Sequence, residues 1–254
     1  MSTANRVRRL GARQPADWAD GAPGGLVAVG SPAGIALVAT TVLASTVGFL
    51  NASVINVAVP AIVRDLHAGV GSLQWTLTSY LLTVAALLLL SGALADRFGR
   101  RQVLTLGLHV MLVGSVLCAV APSVGTLVAA RVVQGVGAAM VVPSSLALLN
   151  GTLRVSDRAR AIGIWAGLAT LGATVGPYAG GWLVDHATWR AVFLLNIPLI
   201  LAGLLVLRHV PQIDLARRDL SLDVVGGCLA VIGLGGVTYA LTAGPASGWL
   251  SAES

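Results

Sequence analysis

The chain has 254 residues, 56% of them hydrophobic and only 10% charged, with a formal net charge of +6 and a mean hydropathy of +0.86. So few charges cannot cover a water-facing surface, which excludes an ordinary soluble domain and leaves a chain embedded in lipid. The positive excess does not point to nucleic acid, because the arginines are dispersed among hydrophobic spans with no aromatic and basic platform beside them.

Charged residues leave seven uncharged windows: 21–63, 66–95, 102–130, 132–153, 161–184, 191–207 and 224–252. A bilayer core takes roughly 20 apolar residues per helix. Trimming at Pro, Gly and polar ends predicts helices near 33–59, 72–94, 102–121, 125–149, 159–184, 189–208 and 223–243. Nothing alternates with the period of a barrel strand, and backbone in lipid must satisfy its own polar groups, so helices remain. The fold class is all-α membrane protein. The expected organisation is a basic cytoplasmic arm at 1–31, a six-helix bundle at 32–208, a cytoplasmic linker at 209–222, and a seventh helix with a short outer tail at 223–254.

With the N-terminus inside, Arg6, Arg8, Arg9, Arg13, Arg97, Arg100, Arg101, Arg154, Arg158, Arg160, Arg208, Arg217 and Arg218 all fall on the cytoplasmic side, 13 of the 16 basic residues. Only Arg64 and Arg190 fall outside, and Arg131 lies within a span. The positive-inside rule therefore orients the chain. The first apolar run is far longer than a signal-peptide core of about 7–15 residues, so it reads as an uncleaved helix. Cys118 and Cys228 both sit in predicted spans, where packing is the expected role. There is no Lys; Arg with abundant Ala, Gly and Val fits a G+C-rich bacterial genome.

In chain order, helix one carries Asn51-Ala-Ser53-Val-Ile-Asn56-Val-Ala-Val-Pro60. Helix two carries Gln74, Trp75 and Tyr80; Trp75 reads as an interface anchor, and Tyr80 as a ring that could face a cavity and stack on a planar ligand. It closes on Gly92-Ala-Leu94-Ala-Asp96-Arg97-Phe-Gly99-Arg100-Arg101. There Asp96 is expected to cap helix three while the arginines hold the loop at an anionic surface. His109 on helix three reads as hydrogen-bonded packing. Helix four places Arg131 inside a span, a functional hypothesis by default set against snorkelling to the interface. Gln134 lies on the same face, and Gly135, Gly137, Ala138 and Ala139 allow another backbone to come close. Helix five carries Gly172-x3-Gly176-Pro177-x2-Gly180-Gly181, a smooth stripe with a proline that permits a bend.

The pattern Gly92-x-Leu94-x-Asp96-x4-Arg101 recurs as Gly181-x-Leu183-x-Asp185-x4-Arg190, 89 residues later. One copy faces the cytoplasm and the other faces outside, the mark of two three-helix units of inverted orientation. Asp96, Asp185 and Asp223 sit at predicted helix ends, where capping is the default. The single Glu, Glu253, is near the end of the chain. No carboxylate lies inside a span, so a proton carrier is not evident.

These segments resemble the major facilitator superfamily over about residues 45 to 250. The Gly92–Arg101 run is similar to the family's gating loop between helices two and three, which implies that Gly92, Asp96, Arg97, Gly99, Arg100 and Arg101 latch the two bundles. The helix-four segment is similar to one in which the arginine belongs to a proton-coupled cavity, and Asn51, Tyr80, Arg131 and Gln134 are the candidate cavity residues. The Gly172, Gly176, Pro177, Gly180 and Gly181 pattern resembles the motif of exporters that run as antiporters, expected to meet a helix of a second bundle. Helix one and the stretch Trp189-Arg190-Ala-Val-Phe193-Leu-Leu-Asn196-Ile-Pro198 are similar to the fourteen-span drug:proton antiporter branch. One departure matters: Asn51 stands where that branch commonly has Asp, and an amide cannot exchange a proton near neutral pH.

The resemblance implies proton-coupled efflux of lipophilic small molecules, cationic ones among them, by a multi-pass protein of the bacterial plasma membrane, with membrane lipid, substrate and protons as partners and no cofactor. No Walker loop, no H-E-x-x-H pair and no nucleophile constellation is present, so neither ATP-driven pumping nor hydrolase chemistry is supported, and no metal site is expected. The sequence reads as the N-terminal bundle plus one further helix, and a second transporter half is expected as its partner. The alternatives are a transport-dead truncated protein or interaction module that retains these motifs, and an uptake carrier of the same fold.

Overall fold

The computed structural model describes residues 26–211 and the helical positions 226, 229, 232, 233, 236, 237 and 240, with the side chains of 70–73 excepted. The basic arm up to residue 25, the linker from 212, and Asp223, Cys228, Trp249 and Glu253 of the seventh helix and tail lie outside the described residues.

Ser31 opens the first helix. Its Oγ accepts from Gly34 N–H at 3.1 Å, and Pro32, which has no N–H to lose, fills the first helical position. Helix α1 (Pro32–Leu66) then runs through Pro60, where the sequence reading had stopped it, and ends on His67 in the left-handed region at φ 49°. At about 1.5 Å per residue it exceeds the roughly 30 Å core of a bilayer. Next come α2 (Val70–Phe98), α3 (Arg100–Ala119) and α4 (Val124–Thr152). Helix α4 starts with a capping box in which Ser123 and Thr126 satisfy each other's backbone N–H.

Helix α5 (Val155–His186) is followed by α6 (Ala191–Leu194) and α7 (Asn196–Leu207). The last two form one apolar run interrupted at Leu195; Pro198 has no N–H to give the carbonyl four residues earlier. Among the described residues, α1, Gln74–Phe98 of α2, α3 and α4 are long and apolar enough to cross a membrane. Glycines and threonines make α5 less apolar than these, and Ala191–Leu207 is shorter. Both pack on α1. One strand-like contact accompanies the helices: Val27 pairs with the α4–α5 turn, giving its N–H to Thr152 O at 2.9 Å and accepting from Arg154 N–H at 3.1 Å.

The packing has an internal two-fold pattern. Helix α1 lies along α5 as α4 lies along α2, and α3 lies against α4 as α7 lies against α1. The 89-residue offset holds at one of the close approaches. A Cβ added to Gly172 would fall 2.5 Å from Thr46 Cγ2. Shifting Gly172 back and Thr46 forward by 89 gives Thr83 and Gly135, and a Cβ on Gly135 would fall 2.7 Å from Thr83 Cβ. The same contact is thus used in both units, with threonine and glycine exchanged across it, as a two-fold relation between inverted three-helix units allows. The helix ends repeat it: Arg101 Nη2 donates to Leu207 O at 3.0 Å, at the end of α7, and Arg190 Nη2 donates to Ala121 O at 3.2 Å, just beyond α3.

This arrangement corrects one expectation. The stripe Gly172, Gly176 and Gly180 seats on α1 of the same bundle, against Thr46, Ser53 and Val54. Its smoothness is used to bring α5 close to α1, so these glycines are not free for a helix of another bundle. Gly181 meets only Val57, at an ordinary 3.4 Å, and Pro177 is half-buried within α5.

Candidate functional site: a buried arginine network

Two large apolar clusters and a small third one at Ala95, Val103 and Met140 fill the bundle. One large cluster, toward the Gly99 loop, holds Leu37, Leu104, Leu108, Met111, Leu149 and Ile200; the other, toward the opposite end, holds Val54, Ile55, Ile62, Leu127, Val192 and Phe193. A polar layer lies between them, and its centre is Arg131. A guanidinium taken out of water is tolerated only when its donors are met.

Arg131 is fully buried, so the snorkelling alternative fails. Its Nε donates to Thr76 O at 3.4 Å, Nη1 to Gln134 Oε1 at 3.1 Å and Nη2 to Asn51 O at 3.2 Å. The guanidinium carbon stands 4.4 Å from the centroid of the Tyr80 ring. A desolvated cation over an aromatic face gains about 2 kcal/mol. The Tyr80 hydroxyl in turn donates to Gly48 O at 2.8 Å.

Gln134 extends the layer. Its Nε2 donates to Ser115 Oγ at 2.9 Å and more weakly to Asn51 Oδ1 at 3.4 Å, while Cys118 Sγ approaches Gln134 Oε1 at 3.4 Å. Asn196 Nδ2 donates to Asn51 Oδ1 at 2.9 Å, and Asn51 Nδ2 donates back to Val47 O at 3.0 Å. One network thus ties α1, α2, α3, α4 and α7. Every acceptor in it is neutral, and Asn196 Oδ1 is a buried acceptor with no hydrogen-bond partner among the described residues. Breaking such a network at one member leaves the others unmet in a low-dielectric interior.

The four candidates Asn51, Tyr80, Arg131 and Gln134 therefore come together, although they lie on three helices far apart in sequence. They face one another: all are at most 2% exposed. Tyr80, read as a ring offered to a planar ligand, gives its face to Arg131. Cys118 is read from sequence as packing and Asn196 only as part of the Trp189–Pro198 stretch, while Ser115 and the Thr76 carbonyl carry no signal, because one small polar residue in an apolar span has no periodicity.

At the other candidate region, the α2–α3 loop turns on Gly99 at φ 101°, ψ 130°, a conformation that side chains disfavour. Asp96 does not cap α3. It lies in the last turn of α2 and pairs with Arg100 Nη2 at 3.4 Å, while Gly99 occupies the cap position without a side-chain hydrogen bond. Arg100 Nη1 reaches Ala147 O near the end of α4 at 2.9 Å, Arg101 reaches α7 as above, and Arg97 lies 5.7 Å from the Phe98 ring centroid. A Cβ at Gly92 would meet nothing. Asp185 is likewise no cap, being exposed within the last turn of α5.

At the opposite end Asp65 accepts from Trp189 Nε1 at 2.9 Å and pairs with Arg190 Nη1 at 2.6 Å, a cluster the sequence reading missed. His109 is exposed, its Nδ1 2.8 Å from Thr105 O. No group of three or more His, Cys, Asp or Glu suited to a metal occurs among the described residues.

Lipid-crossing helices in two inverted three-helix units, closed around a polar layer, are an arrangement shared by the inverted-repeat folds of membrane transporters. The comparisons name the family. Residues 41–222 match the family model described as Major Facilitator Superfamily. The methylenomycin A resistance protein of Bacillus subtilis (strain 168) is 38% identical over 87% of this chain and 47% of its own length. The multidrug resistance protein Stp of Mycobacterium tuberculosis (strain CDC 1551 / Oshkosh) is 39% identical over 81% of this chain and 38% of its own. Among solved structures, a mutant of the peptide transporter POT in complex with sulfate has a similar fold, with a TM-score of 0.66 at 18% identity, over 88% of this chain and 48% of that one. The chain belongs to the major facilitator superfamily and is an integral membrane protein. It spans less than half the length of these curated relatives.

Proposed function

We propose that the chain is the N-terminal half of a proton-coupled exporter of lipophilic, drug-like small molecules in a bacterial plasma membrane, its N-terminus and arginine-rich end cytoplasmic. The observation that carries this is the Arg131 network, which joins helices of both three-helix units in a chain whose relatives are named for drug and antibiotic resistance. The family shares alternating access, in which one bundle rocks against another around a central site. In this reading a second half supplies that other bundle and the acid that carries the proton, since Asn51 and Asn196 are amides and the network holds no carboxylate. In this reading Arg131, Gln134, Asn51 and Tyr80, packed on one another, act on the central site from behind its surface. Gly92, Asp96, Arg97, Gly99, Arg100 and Arg101 form the latch, with Gly92 open to a partner surface. Residues 32–208 act as the bundle, 209–222 as a linker, and 223–254 as the start of the further spans of a fourteen-span protein.

The test is accumulation of a lipophilic cationic dye in cells that express the chain together with a second half from a full-length relative. The pair is expected to lower dye content, and Arg131→Ala to restore it to the level of cells with no transporter while the amount of chain in the membrane fraction holds. Arg131→Lys, which cannot fork toward three acceptors, is expected to recover little. Undiminished efflux in Arg131→Ala removes the network from the mechanism.

A further inference from the structure

We infer that a single buried water binds between Ser115 of α3 and Asn196 of α7, hydrogen-bonded to the hydroxyl of one and the amide oxygen of the other, and completes the Arg131 layer. A buried polar atom without a partner forfeits its hydration for nothing, and water settles where two or more such atoms converge. Two unmet groups converge here. Asn196 is fully buried, and among the described residues its Oδ1 has no donor. Ser115 is also fully buried, and its Oγ accepts twice, from Gln134 Nε2 at 2.9 Å and from Asn196 Nδ2 at 3.4 Å. Those bonds use both lone pairs of the hydroxyl and leave its O–H to donate, with no acceptor for it among the described residues. The oxygen and nitrogen of an amide share one carbon, so Asn196 Oδ1 lies within reach of a water seated on Ser115 Oγ. That water accepts from Ser115 and donates to Asn196.

Turning the Asn196 amide over does not remove the need. Ser115 O–H would then reach Oδ1 directly, but Asn51 Oδ1 would exchange its donor at 2.9 Å for an oxygen, acceptor against acceptor. Gln134 Nε2, at 3.4 Å, is a weaker donor to the same atom. Asn51 therefore fixes the amide from the α1 side, and Oδ1 is the atom left over.

The internal two-fold shows that the shared frame does not demand this polar pair. Shifted by 89, Asn196 falls on Gly107 and Ser115 on Leu204. A Cβ on Gly107 would fall 2.9 Å from Met140 Cβ and 3.0 Å from Gly137 O, and Leu204 packs on an apolar cluster. The related place is thus apolar and close-packed, whereas α3 and α7 here bring together two small polar side chains. Because Ser115 belongs to the first three-helix unit and Asn196 to the second, the water joins the two units at the level of Arg131. Unlike the side chains around it, it is a member of the layer that can leave. The site depends on the packing of the bundle alone and not on what the chain carries.

X-ray hydroxyl-radical footprinting of the purified full chain, read by mass spectrometry, tests this, because radicals formed from a bound water oxidise the side chains beside it. Cys118 is the reporter: it is fully buried, one turn along α3 from Ser115, with its Sγ 3.4 Å from Gln134 Oε1. Cys118 is expected to be oxidised on brief exposure. After short mixing with heavy-oxygen water it should still acquire ordinary oxygen, while His67, exposed in the α1–α2 turn, acquires the heavy isotope. Asn196→Leu, which puts methyl groups in place of the amide, should slow Cys118 oxidation at least about fivefold, the equivalent of about one lost hydrogen bond. Gly163→Ala should leave it unchanged. If Asn196→Leu does not survive purification, Ser115→Ala should slow it by a similar factor. An unchanged rate in the variant, or no oxidation of Cys118 in the unaltered chain, overturns the site. So does prompt uptake of the heavy isotope at Cys118, which would mean bulk water entering a loosened bundle.

Discussion

The first three-helix unit, α1 to α3, and the second, α4 to α7, share a frame but are furnished differently. The shared part is backbone approach: Gly172 on Thr46 and Gly135 on Thr83 are one contact used twice, and Arg101 and Arg190 each tie a helix start to a distant helix end. The difference is polarity. The second unit contributes Arg131, Gln134 and Asn196 to the buried layer, the first answers with neutral acceptors from Asn51, Thr76 and Ser115, and where the second has Arg131 the first has Val42 beside an open groove. Symmetry accounts for how the bundle holds together; the departures from it mark where chemistry is expected.

That contrast can be broken most severely at the shared contact. Gly172→Leu and Gly135→Leu each force a side chain into backbone and side-chain atoms of a packed neighbour, and overpacking of this kind costs about 1–3 kcal/mol or more. Both are expected to remove most of the folded chain, measured as the monodisperse peak of a fluorescent fusion after heating. Gly163, on the open face of α5, meets nothing with an added Cβ; Gly163→Ala should hold or gain about 0.5–1 kcal/mol from helix propensity. Equal tolerance at all three positions would mean that the two-fold contact does not bear on packing.

A smaller effect is expected at the paired arginines. Arg101→Gln loses a hydrogen bond to a helix-end carbonyl, of order 0.5–1.5 kcal/mol, and Arg190→Gln loses such a bond together with its pair to Asp65, read as drops in melting temperature of the same fusion, the second at least as large as the first. A drop in one with none in the other would make the resemblance between the two ends coincidental.

Much of the frame was legible in the sequence. Uncharged windows located the helices because charge is excluded from lipid, and the pair Gly92–Arg101 and Gly181–Arg190 already showed the repeat. Of the site, Arg131, Gln134, Asn51 and Tyr80 were visible as polar or aromatic intrusions into apolar spans. What they touch was not. Whether Tyr80 faces a ligand or Arg131, and whether the Gly172 stripe meets α1 or another bundle, depends on how helices rotate against one another, and every smooth face is compatible with several partners. Asp96 was assigned to a cap by its position before a helix, but the glycine turn places it inside α2, where Arg100 is one helical turn away. Asp65 lay unremarked because Trp189 and Arg190, which engage it, are more than 120 residues distant.

Inverted orientation is the claim on which the rest stands, and the two repeat loops report it directly. With Cys118 and Cys228 replaced by Ser, single cysteines at Phe98 and at Thr188 should behave oppositely toward a membrane-impermeant maleimide in intact cells: the cysteine at 188 labels at once, and the one at 98 labels only after the membrane is opened. Labelling of both from the same side would contradict the two-unit architecture.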